Sequence, residues 1–228
     1  MVVERNTAPD AWRKWALAGW VLAVLVVCLH TLWKPGANST YPIFANAGRN
    51  WLEGRNLYGG LAENLDVFRY SPLTAAAFAP LSLAPNGPAG ALWRLLNVAV
   101  FLTALLWWAR AVLPAPLDDV GRSRFLLLLL PLSVPCMYNG QSNLLVVGLM
   151  LAAVDGAAEG RWNLSSLFVA LACMLKLYPL AIGLMLCALY PRQLILSKRW
   201  PCSRVLPCRF SCKTPRMSAR NTISGRIP

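Results

Sequence analysis

Polar residues are sparse along this chain and gather at intervals, so that long apolar runs alternate with short charged or amide-rich links. A bilayer core about 30 Å thick takes roughly 17 to 25 apolar residues per helix. Two runs meet that length, at residues 15–33 and 89–109, and a third at 164–190 meets it but is broken by Lys176 and Pro179. The first follows Arg13 and Lys14, is bounded by Trp12, Trp15 and Trp33, and outlasts the roughly 7 to 15 apolar residues of a secretory signal. It reads as a retained anchor with the amino terminus in the cytoplasm.

Shorter elements lie between these runs. Within a long loop at 34–71, residues 41–52 fit a short amphipathic helix on the outer membrane surface, ended by Gly54. Ser71 and Pro72 are the residue types of a helix N-cap and first position, which predicts a helix over 72–84. Arg69 stands just before its positive end, where it either helps hold a phosphate or closes the loop on Asp66 or Glu63. Residues 85–88 turn the chain into the 89–109 span, in which Arg94 is expected to snorkel to the interface.

After a polar loop at 110–124, the runs 125–137, containing Pro131 and Pro135, and 144–154 flank Tyr138-Asn139-Gly140-Gln141-Ser142-Asn143. Each is too short to cross, so they predict a broken pair, and such breaks mark binding sites in membranes. Ser142 is expected to cap the second run, setting Gln141 and Asn143 at a positive helix end where they either bind a sugar or phosphate or satisfy backbone freed by the break. Lys176 lies far from either end of its apolar stretch, with a lipid phosphate, an acid of the long loop or a carbonyl freed by Pro179 as its partner.

Composition fixes the class: 57% hydrophobic and 14% charged residues leave too little polar surface for a soluble domain, and helical patterning gives an all-α polytopic membrane bundle. The net charge of +13 does not signal nucleic-acid binding, because nine basic residues and no acid follow from Arg192, leaving +4 for the rest. That partition divides the chain into an amino terminus at 1–14, a transmembrane domain at 15–192 and a basic, disordered or aberrant tail at 193–228. Four cysteines sit in apolar segments as small hydrophobes, and Cys202, Cys208 and Cys212 lack a fourth ligand, so no metal is assigned.

Four stretches in this order, FRYSPLTAAAFAPLSLAP, ALWRLLN, GQSNLLVV and KLYP, resemble glycosyltransferase family 87, membrane enzymes of the GT-C class that use polyprenyl-phosphate sugars. The resemblance implies transfer of a mannosyl-like or pentosyl sugar from a lipid-linked donor to a lipid or glycan acceptor outside the inner membrane, with inversion and without a cofactor. The candidate substrate contacts are Arg69, Tyr70, Gln141, Asn143 and Lys176, all within these stretches. Where the family carries an aspartate early in the first outer loop, this chain reads Asn38-Ser39-Thr40-Tyr41, and Asp66 is the nearest substitute for the catalytic base, followed by Glu53 and Glu63. The loss of apolar pattern near Leu196 suggests a truncated or frame-shifted reading, with weak activity or none. A transporter or lipid flippase, and an inactive membrane fragment, are the competing readings.

Overall fold

The computed structural model describes residues 8–37, 40–58, 67–113 and 117–194; the expectations for Asp66, Glu63 and the tail fall outside them. Every regular element among these residues is a helix: α1 (Ala8–Trp33), α2 (Tyr41–Leu52), α3 (Pro72–Ser82), α4 (Asn86–Ala111), α5 (Asp119–Tyr138), α6 (Asn143–Ala158), α7 (Trp162–Leu175), α8 (Leu180–Leu189) and α9 (Pro191–Leu194). Three of them, α1 from Ala11, α4 and α5, are long and apolar enough to cross a membrane. The molecule is an all-α membrane helix bundle.

Side-chain contacts fix the helix directions. Thr31 meets Gly90 near one end of the bundle and Trp20 meets Phe101 further along, so α4 runs antiparallel to α1. Trp20 Nε1 donates to Leu126 O at 3.0 Å and His30 lies 5.0 Å from Tyr138, so α5 runs back alongside α1. Helix α6 then follows α4, α7 returns along α6 through Ser165 Oγ donating to Ala153 O (2.7 Å), and α8 reverses again, with Trp162 4.9 Å from Tyr190. The chain turns α1/α2, α5/α6 and α7/α8 therefore gather at one end, called here the far end. Arg13, Arg110 and Arg122 mark the amino-terminal end.

Two elements, α5 and α2, show more than the sequence pattern predicts. Helix α5 is 20 residues long and is not half of a broken pair. Asp118 accepts from Gly121 N at 2.8 Å, so the helix starts six residues before its apolar run, and its first turns recruit polar residues counted as loop. It ends in a reverse turn, and α6 descends beside α4, where a Cβ on Gly148 would stand 2.9 Å from Phe101 Cα. Helix α2 turns its apolar face to protein: Tyr41, Phe44 and Ala45 are buried, and the Phe44 and Phe78 rings stack at 4.6 Å against α3. The 164–190 stretch breaks where expected, into α7 and α8 on either side of the segment that carries Lys176 and Pro179.

Helix α3 forms as expected, because Ser71 Oγ accepts from Leu73 N at 3.3 Å and Pro72 occupies its first turn. Its face carries Thr74, Ala75 and Phe78 into the core. Aromatic packing then locks it: Phe78 meets Trp93 of α4 at 4.7 Å, nearly edge to face, a geometry that adds about 0.5 to 1.5 kcal/mol beyond area burial.

Candidate functional site

The α5/α6 turn at the far end is held from several directions. Gly140 takes φ +62°, a conformation that costs glycine nothing and lets the chain reverse. Its carbonyl accepts from Trp93 Nε1 (2.9 Å) and Thr40 Oγ1 (3.0 Å), and Thr40 N donates to Asn139 O at 2.9 Å.

Arg94 does not snorkel. It is 3% exposed, and its guanidinium donates to Met137 O (2.9 Å), Tyr138 O (2.9 Å) and Gly90 O (3.0 Å). The last carbonyls of α5 lack helical partners and sit at the negative end of the helix dipole, so a buried fork of N–H donors serves there better than at the interface. Ser142 also departs from expectation: it occupies the N-cap position of α6, but its buried hydroxyl bonds nothing. Asn97 of α4 supplies the cap instead, accepting from Leu145 N at 3.3 Å while its own amide donates to Trp93 O at 2.7 Å.

Lys176 terminates α7 in an extended conformation, φ −148° and ψ 148°. Its ammonium donates to Asn143 Oδ1, and Asn143 Nδ2 donates in turn to Gln141 Oε1 at 2.8 Å. Three side chains from two separate stretches of sequence thus form one polar relay. An ammonium carries three N–H donors, of which Asn143 takes one, and the amino end of α6 adds partial positive charge beside it. The place suits an anion.

The other expected residues surround this relay less directly. Thr74 Oγ1 donates to Met174 O at 2.7 Å, which ties the first turn of α3 to the end of α7 just before Lys176. Arg69 is exposed ahead of that turn. Tyr70 joins the aromatic packing, 4.8 Å from Phe44 and 5.5 Å from Phe68, and its carbonyl accepts from Tyr58 Oη at 3.1 Å. Glu53, a fallback for the base, is exposed and paired with Arg55 at 2.9 Å. Burial holds the Tyr41 phenol above the usual tyrosine range, with Arg49 pulling partly back, and the hydroxyl donates to Leu81 O at 3.2 Å.

An apolar groove of about 300 Å³ opens beside the relay, between α3, α4, α6 and α7. Phe78, Trp93, Leu145, Leu149, Leu171 and Met174 contribute to its walls. Among the described residues, no three His, Cys, Asp or Glu side chains are grouped to hold a metal ion.

Stretches around 71–74, 93–97, 140–143 and 174–176 therefore meet through direct hydrogen bonds. A family model, glycosyltransferase family 87, matches residues 68–200 and contains all four. The chain belongs to glycosyltransferase family 87. As a family 87 protein it is a membrane glycosyltransferase by descent, and the match begins after α1 and α2, although Thr40 braces the matched turn from outside it. No curated protein and no solved structure matches the chain.

The sequence places Arg94 at the interface and marks no site role for Asn97, Thr40 or Thr74. The spacing of Trp93, Arg94 and Asn97 held a clue, since residues three and four apart share a helix face. A polar face at that depth in a span has to meet polar backbone, which the α5/α6 turn supplies.

Proposed function

We propose that this family 87 protein transfers a mannosyl-like or pentosyl sugar from a polyprenyl-phosphate donor to a lipid or glycan acceptor, as a multi-pass protein with its far end on the outer side of the cell's inner membrane. The observation that carries this reading is the Lys176–Asn143–Gln141 relay beside an apolar groove. A polyprenyl phosphate has matching parts: a negative head for the ammonium and the α6 amino end, and a chain whose transfer from water into apolar walls is favourable by about 25 cal/mol per Å².

In the reaction proposed, the acceptor hydroxyl oxygen attacks the anomeric carbon while Asp66 takes the hydroxyl proton. The bond from that carbon to the phosphate oxygen breaks with inversion, and polyprenyl phosphate departs. Lys176 and Arg69 face one polar cavity and offset the charge that grows on the leaving oxygen, where preorganised donors act most strongly. Gln141 and Asn143 bond the sugar hydroxyls or the phosphate, Tyr70 flanks the donor, and no cofactor enters.

Native mass spectrometry of the purified protein with a short-chain polyprenyl-phosphate mannose tests the reading. Lys176→Met should lower donor occupancy about tenfold or more while leaving the helical signal intact, since a hydrogen bond to a charged group contributes about 1.5 to 3 kcal/mol. Equal occupancy in the variant overturns the assignment of Lys176.

A further inference from the structure

At the amino-terminal end, α1, α4 and α5 enclose a cleft of about 430 Å³ that the transfer chemistry does not use. Its rim carries Arg13 of α1, Arg110 in the last turn of α4, and Arg122 and Asp119 in the first turns of α5. Asp119 is the one acid in the lining and is engaged by Arg122 at 3.6 Å. Arg13 and Arg110 have no ion-pair or hydrogen-bond partner among the described residues, and Arg122 Nε is buried without one. Below the rim the walls are apolar, from Leu17, Trp20, Leu102, Leu106 and Leu126.

We propose that this cleft binds one anionic glycerophospholipid, its phosphate between Arg13 and Arg110 and one acyl chain along the apolar wall. Charge complementarity selects the ligand: the rim keeps two net positive charges after the Arg122–Asp119 pair is counted. The vertical order of the cleft, cationic above apolar at the ends of helices long enough to cross a bilayer, matches a phospholipid lying in its own leaflet. A zwitterionic headgroup brings a cation of its own toward the two arginines and is disfavoured. A free phosphate leaves the apolar wall unfilled. The neighbouring charges among the described side chains include Lys14, Asp118, Arg124 and the Arg161–Glu159 pair beside Trp107; none lines the cleft, and Arg124 stacks over Trp12 at 4.7 Å.

Native mass spectrometry of the full chain, released from detergent with phosphatidylglycerol or phosphatidylcholine, reads this directly. One phosphatidylglycerol should be retained, and phosphatidylcholine should not. An arginine near a membrane surface contributes roughly a fivefold factor in affinity, so Arg13→Gln or Arg110→Gln should each weaken retention about fivefold and the pair about 25-fold. Lys14→Gln, which removes a charge from the same end outside the cleft, should leave it unchanged. The single variants keep the test valid if the double variant does not fold. Equal loss with Lys14→Gln, equal retention of phosphatidylcholine, or complete competition by glycerol phosphate overturns the proposal.

Discussion

Replacing Arg94 separates a buried clamp from a snorkelling side chain. The guanidinium donates to two carbonyls of the α5 terminus, and hydrogen bonds to a charged group contribute about 1.5 to 3 kcal/mol each, so Arg94→Leu forfeits roughly 3 to 6 kcal/mol of gross interaction. Against that, an arginine inside a span costs about 2.5 to 3.5 kcal/mol on insertion scales, and leucine is relieved of that cost. The net loss is then no more than about 3.5 kcal/mol. Arg94→Lys keeps the charge and its desolvation cost but has no planar fork to reach both carbonyls, so it should be the less stable variant. The expected order is Arg above Leu above Lys, read as the midpoint of helix loss during titration of the detergent-solubilised protein with dodecyl sulfate. Donor occupancy should fall in both variants, because the turn that carries Gln141 and Asn143 loses its anchor. A snorkelling arginine predicts a different order, with lysine as stable as arginine and leucine no lower than lysine. Finding that order would refute the clamp.

Other outcomes follow from single contacts. Asn97→Leu should cost about 0.5 to 2 kcal/mol and speed amide exchange at Leu145, whereas Ser142→Ala should change neither, since the helix is capped from α4. Gly148→Ala should cost about 1 to 3 kcal/mol in the same dodecyl sulfate titration, because the added carbon meets the backbone of Phe101 and cannot be accommodated by a rotamer change. Asp66→Asn should lower sugar transfer about 100 to 10,000-fold with membrane insertion intact, and near-full activity would move the base to Glu53 or Glu63.

The sequence made some of this legible through residues whose physics is local. Ser71 and Pro72 announce α3 wherever they stand, and a 19-residue apolar run such as 15–33 has few fates other than a membrane. Lys176, Asn143 and Gln141 stand out because each is out of place in an apolar setting. Their joining could not be read, because it depends on α7 returning along α6, and that follows from Gly156 approaching Ser165 closely enough for backbone contact. The snorkelling expected of Arg94 fails for a related reason: one sequence does not reveal that two carbonyls at the end of another helix lie at its depth. Helix α5 was shortened because apolar periodicity marks where a helix is buried, while Asp118 marks where it starts.

The hydrogen bond from Thr74 to Met174 spans 100 positions of chain, which sets an order on synthesis. When α3 leaves the ribosome, α7 does not yet exist, and an 11-residue helix is too short to hold a place across a bilayer alone. Helix α2 is already made. The stacked Phe44 and Phe78 rings, with Gly48 pressed on the Phe78 carbonyl, give α3 an earlier partner to wait against. The α2–α3 hairpin is in this sense a scaffold for biogenesis: it keeps the α3 wall of the groove in place until Lys176 is translated, and a mutation that loosens it should lower the yield of inserted protein before it alters any bound ligand.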